Sequence, residues 1–163
     1  MNQITAEEIA KKAAMEAVKI YQKEERRRQR VKVFQNTKKL MENYIRMCKS
    51  VDEGVAELSD LESDDADWGD EDIFIASILR SKLRSLVMLA HIDKCLKLLE
   101  NEEYKKNTPE KYFAFTYYYL DEMTYESITE VYGYSERTAR RWVTELTSIL
   151  GVYLFGADAM MLD

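Results

Sequence analysis

The sequence contains few of the residues that end helices. It has one proline and five glycines among 163 residues, and neither residue occurs between Thr5 and Glu53. Glycine and proline interrupt regular structure more strongly than other residues, so their scarcity favours long helices. With 46% hydrophobic residues, the chain can also bury a core. We therefore predict an all-α protein.

Groups that bind metals or perform catalysis are also scarce. His91 is the only histidine, and no cysteine cluster accompanies it, so a zinc site has little support. Cys48 and Cys95 lie in apolar helical patterns, which is typical of reduced core residues in a cytosolic protein. The acidic stretch 59–72 does not have the ligand spacing of a calcium loop. Because the sequence also has no glycine-rich phosphate loop and no Ser/His/Asp set, we predict no enzymatic activity, no cofactor and no metal site.

Long apolar runs are missing as well. No run approaches the roughly 18 residues that a membrane-spanning helix needs, and the N-terminus lacks the apolar core of a signal peptide. We therefore expect a cytoplasmic protein with no membrane partner. The net charge is −6, but basic and acidic residues are separated along the chain, so the distribution of charge is more informative than its sum.

The region 1–58 is predicted to be long and helical. Thr5 and Glu8 have the spacing of a capping box, which marks a helix start. Either one long helix or two helices with a polar joint would explain the uninterrupted pattern that follows. An apolar seam with steps of three and four is typical of a bundle or coiled coil. The seam comprises Ala13, Ala17, Ile20 and, after an interruption at Glu24 and Arg27, Val31, Phe34, Met41, Tyr44, Ile45, Cys48, Val51, Val55 and Leu58.

The most basic segment lies within this region, between Lys19 and Lys39. It holds nine basic residues against Glu24 and Glu25, a net charge of +7. The break in the apolar seam predicts that these side chains are solvated. They could contact DNA phosphates without reading sequence, bind an acidic protein surface, or form an ordinary soluble helix face. The candidate contacts to the DNA backbone are Arg26, Arg27, Arg28, Arg30 and Lys32.

The acidic stretch 59–72 is predicted to be a solvated linker, which could also neutralise the basic segment when DNA is absent. The region 73–107 follows it. Its helix from Ile73 to Leu99 is apolar on more than one face, which predicts deep burial against the preceding helix in a hairpin or bundle. The apolar residues of this central helix are Ile75, Ile78, Leu79, Leu83, Leu86, Leu89, Ala90, Ile92, Leu96 and Leu99.

The region 108–156 begins with a helix and is followed by a tail at 157–163. Thr108 and Pro109 are a predicted N-cap and first-turn proline. An aromatic run then repeats at helical spacing, so we expect its buried members to pack rather than to stack on bases. The run comprises Tyr112, Phe113, Phe115, Tyr117, Tyr118 and Tyr119.

Two short helices around a tight turn are predicted for the stretch 124–150. Thr124 and Ser135 are the expected N-caps, and Gly133 supplies the left-handed turn residue that glycine adopts cheaply. This pattern is typical of a helix-turn-helix, whose second helix lies in the major groove of DNA. The apolar stripe of the first helix comprises Ile128, Val131 and Tyr132, and that of the second comprises Ala139, Trp142, Val143, Leu146, Ile149 and Leu150.

The second of these helices has an exposed basic face near its start. Arginines and hydroxyl side chains in its first turns can reach phosphates and guanine edges, which an ordinary helical hairpin does not require. We predict that this helix binds DNA. The candidate DNA-binding residues are Ser135, Glu136, Arg137, Thr138, Arg140, Arg141 and Thr144.

The segment TYESITEVYGYSERTARRWVTEL resembles the helix-turn-helix of region 4 of sigma factors, which reads the promoter −35 element. With the preceding YYYLDEM and the closing residues 154–156, the region 108–156 is similar to phage-encoded ArpU-type late-gene transcription regulators of Gram-positive phages and prophages. Thr129 departs from the pattern, because such motifs usually carry an alanine there. The resemblance implies a sequence-specific DNA-binding regulator in the bacterial host cell, with the recognition helix 135–150 in the major groove.

The region 108–150 carries a net charge of −3, so we expect it to bind double-stranded DNA weakly on its own. A homodimer, the basic segment or RNA polymerase could supply the missing affinity. Two other functions remain open. A phage DNA-packaging subunit, similar to a small terminase, would form a ring of roughly eight or more copies. A module that binds RNA polymerase or a sigma factor would not need DNA at all.

Overall fold

The computed structural model describes residues 5–61 and 70–156, and it describes the side chains of residues 5, 7–53 and 80–156. Within these ranges the chain forms helices and no strand, which confirms the all-α prediction there. None of the described helices is both long and apolar enough to cross a membrane. The helices are α1 (Ala6–Glu42), α2 (Tyr44–Leu61), α3 (Asp70–Lys105), α4 (Pro109–Tyr119), α5 (Tyr125–Tyr132) and α6 (Glu136–Phe155).

The predicted linker 59–72 falls largely outside the described ranges, as does the tail 157–163. Helix α2 continues to residue 61 and helix α3 begins at residue 70, so helix extends into both ends of the acidic stretch. Residues 62–69 between them are not among those described. The suggested neutralisation of the basic segment by this stretch therefore stays a prediction.

The N-terminal region consists of two helices with a polar joint. The capping box is confirmed, because Thr5 Oγ1 accepts from the Glu8 amide at 3.4 Å and the Glu8 carboxylate accepts from the Thr5 amide at 3.0 Å. Helix α1 then continues for 37 residues, about 55 Å, to the joint at Asn43. There the Asn43 side-chain amide donates to the Lys39 carbonyl at 2.7 Å. Such local bonds compete with the helical ladder, and α2 starts at the next residue.

The hydrophobic core lies where α1, α3, α4 and α6 meet. The predicted packing of the aromatic run is confirmed for Phe115 and Tyr119, which are both buried. Cys95 is a free buried thiol, as predicted, and burial raises its pKa. The described core cluster comprises Met41 of α1, Ile92, Cys95, Leu96 and Leu99 of α3, Phe115 and Tyr119 of α4, and Val143, Leu146 and Leu150 of α6.

Helices α1 and α6 run antiparallel. Near the C-terminal end of α6, Gly151 packs against Thr37 of α1. Further along α1, Glu42 lies near Tyr119, whose hydroxyl is 3.1 Å from Thr147 Oγ1. Thus an earlier residue of α1 is matched with a later residue of α6. The N-terminal part of α1 leaves the core at the C-terminal end of α6.

Residues 7–32 of α1 project from the core, and we call them the N-terminal arm. None of the side chains described in this arm is buried. Even large apolar residues are open to solvent: Ile9 is 58% exposed and Tyr21 is 64% exposed. Glu25, Arg26 and Gln29 are half-buried, so the fully exposed part of the arm is residues 7–24, about 27 Å of helix.

The prediction of deep burial for the central helix is wrong for several residues between 80 and 90, where the description of its side chains begins. Leu83 and Leu86 are 57% and 42% exposed, and Ala90 is exposed as well. Among the α3 side chains that the structure describes, those at residues 80–156, the first apolar one in the core is Leu89. Periodicity shows which faces of a helix can pack, but it does not show how much of a 36-residue helix its neighbours cover.

The connection between α3 and α4 is tied by Glu103, whose side chain is buried. One carboxylate oxygen accepts from Thr108 Oγ1 at 2.7 Å, and the other lies 3.3 Å from Lys106 Nζ. Thr108 occupies the predicted N-cap position but makes no side-chain capping bond, because its hydroxyl is committed to Glu103. These contacts fix the start of α4 against the end of α3.

Candidate nucleic-acid interface

A tight turn joins α5 to α6. Thr124 Oγ1 caps α5 by accepting from the Ser127 amide at 3.2 Å. After α5, Gly133 has a φ of +70°, and its amide donates to the Thr129 carbonyl at 2.7 Å. The left-handed glycine predicted from the sequence is confirmed. It reverses the chain where another residue would be strained.

Ser135 begins α6 in the same way. Its Oγ accepts from the Thr138 amide at 3.2 Å and lies 2.9 Å from the Thr138 hydroxyl. The predicted N-cap is therefore confirmed. Both hydroxyl groups stand at the N-terminus of α6, where free amides and the positive end of the helix dipole favour an anion such as a phosphate.

A small apolar cluster holds α4, α5 and α6 together. Ala114, Ile128, Ala139 and Trp142 are buried in it. The predicted apolar stripe of α5 is wrong at Val131, which is 58% exposed. Helix α5 has only eight residues and packs mainly through Ile128, so a residue on its flank stays in solvent. The cluster fixes the orientation of α6 and leaves its opposite face open.

That open face carries Arg137, Arg141 and Thr144. The three residues are exposed and are separated by steps of four and three, so they lie on one side of the first turns of α6. Within the described part of the chain, neither guanidinium takes part in an ion pair or a hydrogen bond. Both arginines are therefore available for an anion or a base edge.

Arg140 stands beside this face but is held by two neighbours. Its Nη2 donates to Glu136 Oε1 at 2.6 Å, and this bond raises the pKa of the guanidinium. Its Cζ also lies 4.6 Å from the centroid of the Tyr125 ring, a cation–π arrangement. Tyr125 in turn stacks on Tyr118 with centroids 4.5 Å apart. The sequence did not identify Tyr125, because no local spacing connects it to Arg140.

A second ion pair neutralises another acid on α6, Glu145. Lys111 Nζ lies 2.8 Å from Glu145 Oε1. Glu145 and Glu136 are thus both paired, while Arg137 and Arg141 have no ion-pair partner among the residues that the structure describes. The exposed face of α6 is therefore locally positive, although the region 108–150 is acidic as a whole. A count of charges along the sequence could not reveal this difference.

The predicted backbone contacts on α1 are not brought to this face. Arg27, Arg28 and Lys32 are exposed on the N-terminal arm, as is Arg30, while Arg26 is half-buried. Arg28 lies 3.8 Å from Glu24 and 3.7 Å from Glu25 in exposed ion pairs. Since the arm leaves at the C-terminal end of α6, about 30 Å of helix separates Arg27 from Arg137. The basic segment and the face of α6 are two distinct surfaces.

The chain matches no protein-family model, and no curated protein or solved structure is significantly similar to it.

Proposed function

We propose that this protein is a sequence-specific, DNA-binding transcription regulator of phage or prophage late genes. In this proposal, α5 and α6 are a helix-turn-helix similar to that of sigma region 4, and α6 lies in the major groove of double-stranded DNA. One observation supports it above the others: an unpaired arginine face on the first turns of α6, opposite a buried face that fixes the helix.

The chemistry of this face suits base reading. An arginine can donate two hydrogen bonds to O6 and N7 of guanine, and a threonine can contact several base edges. We assign base contacts to Arg137, Arg141 and Thr144, because these side chains are exposed and free to turn. Ser135 and Thr138 at the N-terminus of α6 suit a phosphate, which would set the position of α6 along the groove.

Arg140 and Glu136 have a different part in the proposal. The bond to Glu136 and the ring of Tyr125 restrict Arg140, so it can approach a phosphate or base without losing much side-chain freedom. Glu136 can accept from a cytosine amino group, or it can repel phosphates that approach in the wrong register. Either effect of Glu136 contributes to the specificity of DNA binding more than to its affinity.

Affinity then has to come from a partner. Exposed acids on the connection before α5 and on α5 itself give this region its negative charge: Asp121, Glu122, Glu126 and Glu130. An acidic surface beside a DNA-binding helix is suited to a basic surface of RNA polymerase. A homodimer would serve equally well by placing two copies of α6 on one DNA site.

The test is selection of binding sites from random duplex DNA with the full chain at low salt, followed by guanine N7 methylation interference on the selected sites. We expect a short guanine-containing motif, with interference at its major-groove guanines. A pool that is not enriched after several rounds, although the chain is folded, would overturn the proposal. So would enrichment without interference at any guanine.

A further inference from the structure

Helix α1 carries a row of residues, nearly all of them in the N-terminal arm, that is open to a partner. At 100° per residue, positions 17, 20, 24, 27, 31 and 34 fall on one side of α1, about 110° around the helix from the side that packs on α6. Ile20 and Val31 are 56% and 52% exposed, and Glu24 and Arg27 are exposed too. We call this row the arm stripe. It comprises Ala17, Ile20, Glu24, Arg27, Val31 and Phe34. Phe34 lies just beyond the arm and is half-buried, and the other five are exposed.

We propose that the arm stripe binds the arm stripe of a second copy of this chain, with the two helices antiparallel. The steps of three and four along the stripe are those of a coiled coil. A two-fold axis between residues 25 and 26 places Glu24 opposite Arg27 of the second copy. The same axis places Ile20 opposite Val31 and Ala17 opposite Phe34. Each residue of the stripe then faces a stripe residue of the second copy. Because the contact is two-fold symmetric, it forms a dimer and does not extend to further copies.

The charges of the stripe fit only this direction. In the antiparallel pair, each Glu24 carboxylate meets the Arg27 guanidinium of the other copy, and the axis generates this ion pair twice. In a parallel pair at the same register, Glu24 would face Glu24 and Arg27 would face Arg27, which is repulsive. Glu24 and Arg27, which interrupt the apolar seam, therefore favour the antiparallel over the parallel arrangement more strongly than the apolar residues do.

The sizes of the apolar residues fit as well. Ala17 opposite Phe34 combines a small and a large side chain, and Ile20 opposite Val31 combines two branched ones. Such alternation lets two facing helices interdigitate without voids. The pairing would cover Ile20 and Val31, which the single chain leaves more than half exposed. Burying apolar surface of this kind is the main driving force for helix association in water.

The basic residues that flank the stripe oppose the pairing. The segment 19–39 has a net charge of +7, and two copies would lie side by side. Salt shortens the distance over which these charges repel, from about 30 Å at 0.01 M to about 8 Å at 0.15 M. Dimerisation should therefore strengthen as salt is raised over this range. An interface held mainly by exposed ion pairs would weaken instead.

Charge reversal in the full chain tests the pairing by sedimentation equilibrium in the absence of DNA. Arg27→Glu and Glu24→Arg should each weaken dimerisation by about tenfold or more, because each places like charges opposite one another at two symmetric points. The double variant should recover to within about threefold of the wild type. Lys32→Glu is the matched control, since Lys32 is exposed on another side of α1 and should not weaken the dimer.

Disulfide trapping tests the direction. In a Cys48→Ser background, a mixture of an Ile20→Cys chain with a Val31→Cys chain should form the mixed disulfide, and neither chain alone should form one rapidly. Rapid trapping of Ile20→Cys with itself would show a parallel pair and overturn the proposal. A chain that stays monomeric at high concentration and 0.15 M salt would do the same. So would a dimer that resists Arg27→Glu but is lost with Val87→Asp, on the exposed apolar part of α3.

Discussion

Gly151 of α6 packs directly against Thr37 of α1. A Cβ atom at position 151 would lie 2.9 Å from Thr37 Oγ1 and 3.0 Å from Val33 Cγ1. Thr37 cannot turn away without loss, because its buried hydroxyl donates to the Val33 carbonyl at 2.9 Å. This contact fixes where α1 crosses α6, and it therefore fixes where the N-terminal arm leaves the molecule.

Substitution of Gly151 should destabilise the fold. Alanine favours helix over glycine by about 1 kcal/mol, but the clash with Thr37 should outweigh this gain, so we expect Gly151→Ala to lower the free energy of unfolding by about 1–3 kcal/mol. Urea denaturation measures the change. The double variant with Thr37→Ala should lose less than the sum of the two single variants. A Gly151→Ala chain as stable as the wild type would contradict the close packing.

Substitution of Gly133 should lower the free energy of unfolding only through strain in the backbone. Its φ is +70° and a Cβ would meet nothing within 4 Å, so no clash adds to the conformational strain. We expect Gly133→Ala to cost about 1 kcal/mol of unfolding free energy and Gly133→Asn to cost less, since asparagine tolerates the left-handed region better. Thermal unfolding of the three proteins measures the order. Equal stability of all three would contradict the left-handed turn.

Removing the charge of Glu136 should strengthen nonspecific DNA binding. The carboxylate pairs with Arg140 and adds negative charge to the face of α6 that we propose binds DNA, so Glu136→Gln should raise affinity for random duplex DNA by roughly two- to fivefold at low salt. Fluorescence anisotropy across a salt series measures this effect. Glu53→Gln, an equal change of charge at an exposed position on α2, is the control. The same gain in both variants would show that only net charge matters.

Because of Tyr119, the free energy of unfolding should decrease as the pH rises in the alkaline range. Burial raises the pKa of its phenol to about 12, against about 10 in an unfolded chain. Below pH 10 or so the phenol is protonated in both states, and its contribution is intact. Between about pH 10 and 12 only the unfolded state ionises, so stability falls as pH rises, by at most about 3 kcal/mol for this group.

The unfolding free energy of Tyr119→Phe should therefore fall less steeply over that range than the wild-type value. Tyr112, whose pKa is also raised to about 12, should keep part of the slope in both proteins. Tyr21→Phe is the matched control, because Tyr21 is 64% exposed on the N-terminal arm. Identical slopes for Tyr119→Phe and the wild type would contradict the role of Tyr119.

Features with a local cause could be predicted from the sequence. Thr124 and Ser135 cap their helices, and Gly133 takes the left-handed backbone, because each of these roles depends only on the residue and its near neighbours along the chain. The apolar face of α6 was predicted for the same reason: helical period alone places Leu146 and Leu150 on one side.

Features that depend on packing between helices could not be predicted. The exposure of Leu83 reflects how far the neighbours of α3 extend, and the contact of Tyr125 with Arg140 depends on how α5 meets α6. The hydroxyl of Thr108 was expected to cap α4 but bonds to Glu103 instead. In each case the exposure or contact of the side chain depends on a residue that is distant in sequence or on another helix. The local sequence pattern therefore cannot predict it.

The most direct test of the proposed function is the specificity of the arginine variants. Affinities of Arg137→Ala and Arg141→Ala for the selected duplex and for a scrambled duplex should be measured together, with Arg46→Ala on the exposed surface of α2 as control. We predict that each α6 variant loses about 1–3 kcal/mol, or roughly 5- to 150-fold, on the selected duplex and much less on the scrambled one. The control should keep wild-type specificity. Wild-type affinity and sequence preference in both α6 variants would contradict DNA recognition by this face.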